Sequence, residues 1–185
     1  MKKLLLICAM LMMCLTGCGE EKTQDPVKIT AVETFNVDMS HYKNMSSVNH
    51  HFKGITPDTF FNLVRTNGNA IIYTGYDSCP VCNEAVWVME EVAAELDLTI
   101  YYIDCYHALY PLIDYIGEYM QVTDPILDSK NGEKVVLTPH VFTIQNGEFK
   151  DSWIGIDMLD PSSNEDDHKI VYDKYKKIMQ NFNAE

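Results

Sequence analysis

The stretch Asp77-Ser78-Cys79-Pro80-Val81-Cys82 decides the fold prediction, because it joins a strand pattern to a helix pattern. The preceding residues 70–74 are apolar with β-branched character, which is typical of a short buried strand. Residues 79–96 follow with apolar side chains at 3.6-residue spacing, which predicts a helix with one buried face. The two cysteines therefore lie where a strand turns into a helix.

The spacing of Cys79 and Cys82 favours a thiol–disulfide pair. Residues three apart in the first turn of a helix bring their Cβ atoms close enough for a disulfide. Pro80 suits the first helical position, which makes Cys79 the cap residue. A thiolate at the cap faces unpaired backbone N–H groups and the positive end of the helix dipole, which lower its pKa. Cys82 lies one turn further in, is more shielded, and suits the role of resolving thiol.

A second feature lies downstream, where Thr138-Pro139 directly precedes an apolar run at residues 140–144. With this Thr-Pro pair and the strand–C-x-x-C–helix arrangement, the chain resembles the thioredoxin superfamily over roughly residues 28–182. In that family a cis-proline lies opposite the two cysteines, and its loop pairs with bound substrate peptide. The resemblance implies catalytic roles for Cys79 and Cys82, a cis bond before Pro139, and substrate binding by Thr138 and Pro139.

The motif departs from that of thioredoxin itself, which carries Trp-Cys-Gly-Pro-Cys. Here Ser78 precedes the first cysteine and the inner pair is Pro-Val, so the redox potential of thioredoxin does not transfer. Thioredoxin also has a buried acid six residues before its first cysteine, where this chain has Tyr73. The proton acceptor for Cys82 is therefore open, with Glu84 or a water as candidates.

The remaining chain alternates between strand and helix patterns. A weak alternation at residues 28–37 predicts a first strand, and Thr56-Pro57 predicts a capped helix that extends through Thr66. The further predicted elements are a strand at 98–104, a helix at 107–120, a hairpin of 140–145 and 148–155, and a helix at 166–182. The order βαβαβαββα predicts an α/β, thioredoxin-like fold with helices on both faces of a mixed sheet.

The N-terminal residues are typical of a secretion signal. Lys2 and Lys3 precede an apolar run at residues 4–15, which is shorter than the roughly 20 residues that span a bilayer. Leu15-Thr16-Gly17-Cys18 resembles the lipobox of bacterial lipoproteins, in which the cysteine is acylated after cleavage. The alternatives are an ordinary signal peptide with a chance cysteine, or an uncleaved anchor.

The lipobox interpretation defines the predicted domain organisation. We expect a signal peptide at 1–17, lipid attachment at Cys18, a polar tether at 18–27 and one thioredoxin-like domain at 28–185. The lipid would hold the domain at the extracytoplasmic face of the cell membrane. Within the superfamily, the chain most resembles thioredoxin-like bacterial lipoproteins, including accessory proteins encoded with bacteriocins.

Charge limits the classes of partner. The chain has 14 basic and 27 acidic residues, a net charge of −13. Without Lys2 and Lys3, 12 basic residues remain against 27, a net charge of −15. Such a surface is repelled by nucleic acid and by anionic headgroups, so we expect membrane attachment through the lipid alone and no nucleic-acid partner.

Two functional hypotheses from different classes remain. The first is a thiol–disulfide oxidoreductase that acts on extracytoplasmic proteins as a monomer and exchanges electrons with a partner protein. It needs no metal or other cofactor, because the dithiol is itself the redox centre. The second is a non-enzymatic accessory or binding lipoprotein with a structural disulfide.

Two further interpretations of the cysteines also remain open. A structural zinc site would require Cys105, His107 and His140 to converge on the pair. Cys105 itself is either a third exchanging thiol or a small buried residue.

Overall fold

The computed structural model describes residues 32–105 and 137–183, where one sheet of five strands is flanked by helices. The strands are β1 (Phe52–Gly54), β2 (Ala70–Gly75), β3 (Ile100–Asp104), β4 (His140–Gln145) and β5 (Glu148–Ile154). The helices are α1 (Pro57–Arg65), α2 (Pro80–Leu96) and α3 (Glu165–Asn183). Parallel pairing joins β1 to β3 and β3 to β2, and antiparallel pairing joins β2 to β4 and β4 to β5. The predicted α/β class with a mixed central sheet is confirmed.

Helices cover both faces of the sheet, as the sequence predicted. One buried cluster joins the sheet to α2 and α3 and includes Met89 and Tyr175. The other joins the opposite face to α1 and includes Phe60, Leu63 and Phe142. Each helix therefore buries one apolar stripe against the sheet, which is the arrangement that its 3.6-residue pattern requires.

The strand directions bring three segments to one edge of the sheet. The parallel strands β2 and β3 end there at Gly75 and Asp104, and their last residues are paired. The antiparallel strand β4 begins at the same edge, where His140 pairs with Thr74. The loop that carries the two cysteines and the loop that precedes β4 therefore face each other.

Local sequence signals explain several element boundaries. Helix α1 begins as predicted, because Thr56 Oγ1 accepts a hydrogen bond from the backbone N–H of Thr59 at 3.2 Å and Pro57 occupies the first turn. The predicted hairpin is also present, with positive φ at both Asn146 (53°) and Gly147 (75°), as a type I′ turn requires.

The first strand differs from the prediction. Strand β1 lies at Phe52–Gly54, in a polar stretch without a strand pattern, and residues 28–37 do not form a named strand in the described part of the chain. Within that predicted stretch, Phe35 makes an isolated antiparallel bridge to Gly54, and residues 28–31 lie outside the described residues. Three residues are too few to show an alternation, so burial of Phe52 beside Ile100 defines this strand instead. The predicted helix at 107–120 lies outside the described residues.

Among the helices of residues 32–105 and 137–183, none combines the length and apolar character needed to cross a membrane.

His140 provides a stability prediction that depends on pH. His140 is 1% exposed and its ring centroid lies 4.9 Å from that of Phe142, with the rings tilted. Its Nε2 has no hydrogen-bond partner among the described residues. Burial lowers the pKa of His140 from 6.5 to about 3. Below pH 6.5 the unfolded chain binds a proton that the folded chain does not, so stability falls as the pH decreases toward 3.

We expect wild type to lose roughly 2–3 kcal/mol of unfolding free energy through His140 between pH 7.5 and 4.5. Urea unfolding of wild type and His140→Gln at both pH values measures this loss, because carboxylate effects are common to the two proteins. The matched control is His41→Gln, since His41 is exposed. Equal pH dependence of wild type and His140→Gln would contradict the assignment.

Candidate thiol site

The two cysteines lie at the start of α2, as the sequence predicted. Cys79 is the N-cap residue, with extended backbone geometry, and its Sγ accepts a hydrogen bond from the backbone N–H of Cys82 at 3.2 Å. The backbone N–H of Cys79 in turn donates to the carbonyl of Tyr76 at 3.2 Å, which closes the loop after β2. Cys79, Cys82 and Cys105 are free thiols in this structure.

The loop before β4 faces Cys79. The Thr138–Pro139 peptide bond is cis, which confirms the expectation drawn from the resemblance. The Thr138 hydroxyl donates to Cys79 Sγ at 3.5 Å, and the Thr138 carbonyl lies 4.0 Å from the same sulfur. The Pro139 carbonyl accepts from the backbone N–H of Gly155 at 2.7 Å, which ties the loop to the residue after β5. The structure thus brings together Cys79, Cys82, Thr138 and Pro139, while Cys18 lies outside the described residues.

Hydrogen bonds lower the pKa of Cys79 to about 6. The hydrogen bond from the Cys82 side chain is the largest cause, and the Thr138 hydroxyl and the backbone N–H groups of Val81 and Cys82 add to it against the effect of burial. The pKa of Cys82 is raised well above its usual value, because its thiol donates a hydrogen bond to Cys79 and is buried. Near neutral pH the pair therefore consists of an anionic Cys79 and a protonated Cys82.

Two exposed apolar side chains lie next to residues of the thiol site along the chain. Cys79 itself is 5% exposed and Cys82 is fully buried. Val81 lies two residues after Cys79, Leu137 directly precedes Thr138 in the facing loop, and each is 40% exposed. Exposed apolar side chains in these two segments are suited to contact with the side chains of another polypeptide.

Cys105 is the third thiol, and the structure favours its interpretation as a small buried residue. It follows β3 directly, is 3% exposed, and its backbone N–H donates to the Gly75 carbonyl at 3.0 Å. Burial raises the pKa of Cys105 to about 12, so the thiol is protonated at neutral pH. A buried and protonated thiol is a poor nucleophile.

The hypothesis of a structural zinc site depends on His107, which lies outside the described residues. Within 32–105 and 137–183, the His, Cys, Asp and Glu side chains form no group of three or more that could hold a metal ion.

Glu84, one of the candidate proton acceptors for Cys82, forms a salt bridge at the surface. Its carboxylate pairs with Lys43 Nζ at 2.9 Å, and both side chains are partly exposed.

Sequence reasoning missed a cluster of three tyrosines behind the cysteines. Tyr73 and Tyr102 are paired in the register of β2 and β3, and their rings stack with centroids 5.5 Å apart. The Tyr42 and Tyr102 hydroxyls lie 3.3 Å apart, and the Tyr102 hydroxyl also donates to the Gly75 carbonyl at 3.3 Å. The signal that was present is the tyrosine six residues before Cys79, at a position where an apolar side chain would have sufficed for packing.

A cavity of about 450 Å³ adjoins this cluster. Tyr42 and Tyr102 line it, together with Phe35, Asn36, Val37, Asp38, His41, Asp77 and Asp104.

Solved structures with the thioredoxin fold resemble this chain at low sequence identity. A putative oxidoreductase with a thioredoxin fold is 19% identical, with a TM-score of 0.46, and the match covers 64% of this chain and 94% of the other. Thioredoxin f from spinach chloroplast is 15% identical, with a TM-score of 0.43 and coverages of 71% and 99%. Thioredoxin O2 from Arabidopsis thaliana is 18% identical, with a TM-score of 0.39 and coverages of 60% and 87%. No protein-family model and no curated protein matches the chain. At these identities and TM-scores, the similarities establish no activity for this chain.

Proposed function

We propose that this protein is a thiol–disulfide oxidoreductase in which Cys79 is the nucleophile and Cys82 the resolving thiol. The observation that carries the proposal is the position of Cys79 at the N-cap of α2, where its Sγ accepts hydrogen bonds from the Cys82 backbone N–H and the Thr138 hydroxyl. This environment lowers the pKa of Cys79 to about 6, whereas the pKa of the buried Cys82 is raised. A stabilised thiolate at a helix N-cap attacks disulfides readily, while a shielded thiol beside it remains available for the second step.

In the reductive direction, the Cys79 thiolate attacks one sulfur of a substrate disulfide. A bond forms between Cys79 and that sulfur, the substrate disulfide breaks, and the other substrate sulfur leaves as a thiolate. Cys82 then loses its proton and attacks Cys79 Sγ, which releases the second substrate thiolate and leaves a Cys79–Cys82 disulfide. The pair has lost two electrons, and a partner protein must restore them. The oxidative direction is the reverse of these steps.

Thr138 and Pro139 are proposed to bind the substrate polypeptide. The Thr138 carbonyl faces Cys79, so an extended peptide whose sulfur reaches Cys79 passes within reach of this backbone group. Pro139 has no backbone N–H, and its carbonyl is already bonded to Gly155. The exposed side chains of Val81 and Leu137 would contact apolar residues that flank the substrate cysteine.

The direct test is exchange with a protein disulfide. Wild type is expected to accelerate reduction of insulin disulfides by dithiothreitol, or to accelerate oxidation of a reduced dithiol peptide. Cys105→Ala is the matched control and should retain the rate, because Cys105 is buried and protonated. A protein that is folded but accelerates neither reaction would contradict the proposal and favour a non-enzymatic accessory role.

We further propose that the protein is an extracytoplasmic lipoprotein anchored through Cys18, in the manner of thioredoxin-like accessory lipoproteins. The support is the Leu15-Thr16-Gly17-Cys18 motif after a short apolar run. Cys18→Ala is expected to release the protein from the membrane or to leave the uncleaved precursor, whereas Cys8→Ala, within the signal, should do neither. Membrane attachment and cleavage unchanged in Cys18→Ala, measured by fractionation and mass spectrometry, would contradict lipidation.

A further inference from the structure

Tyr73 has a buried hydroxyl without an evident structural purpose. It lies in β2, its side chain is fully buried, and its oxygen has no hydrogen-bond partner among the described residues. A buried polar group without a partner destabilises a fold, and phenylalanine would fill the same space without that penalty. The hydroxyl therefore calls for an explanation other than packing.

The hydroxyl of Tyr73 lies at the sheet edge where the thiol site is built. A Cβ atom added to Gly75 would come within 2.0 Å of the Tyr73 oxygen, so this glycine is what leaves room for the hydroxyl. Gly75 is the last residue of β2, four positions before Cys79. Tyr73 and Cys82 belong to the same buried cluster and both have no exposed surface. Burial and then the neighbouring Tyr42 and Cys82 side chains raise the pKa of Tyr73, which keeps its proton on the oxygen.

The other two tyrosines connect this position to the cavity. The Tyr42 hydroxyl lies 3.3 Å from that of Tyr102, and the Tyr102 ring stacks on Tyr73. Both Tyr42 and Tyr102 line the cavity of about 450 Å³, and Asp104 lines it as well. The stacked Tyr102 ring and the paired Tyr42 and Tyr102 hydroxyls thus lie between Tyr73 and a space large enough for water.

We propose that Tyr73 is a positioning residue for Cys82 and, with Tyr42, transfers the proton that Cys82 releases when it resolves a mixed disulfide. This inference rests on the proposed function. In this step the Tyr73 hydroxyl, which is unpaired in the structure, forms hydrogen bonds to Cys82 and to Tyr42. The Cys82 proton then passes to the Tyr73 oxygen while the Tyr73 proton passes to the Tyr42 oxygen, and Tyr42 gives its own proton to water in the cavity. The Cys82 sulfur uses the freed electron pair to bond to Cys79 Sγ, and the bond from Cys79 to the substrate breaks with its electrons on the substrate sulfur. Each tyrosine ends the step neutral, so no phenolate has to be buried.

Other ionisable groups near Cys82 must be considered in any pH measurement. Cys79 faces it from the start of α2, Tyr42 from the segment before β1, Tyr76 from the loop after β2, and Tyr175 from α3. Only Cys79 among these has a pKa lowered into the neutral range. The pH dependence of Cys79 must therefore be separated from that of Cys82.

A reaction with 5,5′-dithiobis(2-nitrobenzoate) separates the two thiols in time. Attack by Cys79 releases one coloured thiolate at a rate proportional to reagent concentration, and resolution by Cys82 releases a second at a rate independent of it. We expect Tyr73→Phe to leave the first phase unchanged and to slow the second at least about tenfold, with its pH midpoint moved upward by about one unit. Tyr42→Phe should slow the second phase to a smaller extent.

The matched control is Tyr101→Phe, because Tyr101 lies beside Tyr102 on β3 but packs against the cluster on the opposite face. It should leave both phases at the wild-type rate. A second phase in Tyr73→Phe with the wild-type rate and pH midpoint would overturn the inference, as would equal slowing in Tyr101→Phe. If wild type itself shows no second phase, the proposed function fails and the inference fails with it.

Discussion

Replacement of Cys79 by serine is expected to reduce protein disulfide exchange to the uncatalysed rate, a fall of at least about 10³-fold at pH 7. Cys79 is the thiol whose ionised form the site stabilises, through Cys82, Thr138 and the first backbone N–H groups of α2. A serine hydroxyl in the same place stays protonated and cannot form a disulfide. The variant should remain folded, because serine is a good helix cap.

Insulin reduction and thiol alkylation measure this effect together. In reduced wild type, iodoacetamide should label Cys79 first and should do so at pH 6–7, where an ordinary thiol with a pKa near 8.5 reacts slowly. Cys105→Ser is the control, since its thiol is buried and its pKa is raised. Faster labelling of Cys82 than of Cys79, or retained exchange in Cys79→Ser, would invert the assignment of the two thiols.

Replacement of Cys82 by serine is expected to trap the mixed disulfide between Cys79 and substrate. Cys82 is held next to Cys79, and a group fixed in contact reacts far faster than a thiol in solution, so its loss should lengthen the lifetime of the adduct at least about 10²-fold. The first attack should persist, because the Thr138 and backbone donors to Cys79 remain.

Non-reducing gels and intact mass after mixing with insulin measure the trapped adduct. The double variant Cys79→Ser/Cys82→Ser is the control and should form none. Cys82 is fully buried, and a hydroxyl in its place loses apolar packing. Circular dichroism is therefore used to check that the Cys82→Ser variant is folded. An adduct in Cys82→Ser that is as short-lived as in wild type would show that another thiol resolves it.

Local chemistry made the start of α2 predictable from the sequence. Pro80 after Cys79 defines a helix cap, and the cap fixes the position of the thiol relative to the backbone N–H groups. The same holds for Asn146-Gly147, whose backbone preferences define the hairpin. In each case the residues that specify the geometry are adjacent in the chain.

Features built from distant segments were not predictable. Strand β1 depends on pairing between Phe52 and Ile100, and three residues carry no periodic signal of their own. The hydrogen bond from the Thr138 side chain to Cys79 joins residues 59 positions apart, so no local pattern indicates it. The tyrosine cluster likewise needs the sheet register that pairs Tyr73 with Tyr102.

The opposite ionisation of the two cysteines is also a property of the folded site. The sequence indicated a lowered pKa for Cys79 through the helix N-terminus. In the structure the largest cause is instead the hydrogen bond from the Cys82 side chain. The two thiols therefore titrate as one unit and not as two independent groups.

The reduction potential of the Cys79–Cys82 pair tests the central claim most directly. Equilibration of the purified domain in glutathione or dithiothreitol redox buffers, followed by acid quench and alkylation, gives the reduced fraction at each potential. A reversible two-electron transition between about −270 mV, as in a reductase, and about −120 mV, as in an oxidant, is the predicted result. A pair that stays oxidised below about −300 mV, as structural disulfides do, would contradict the account and leave the disulfide as a staple.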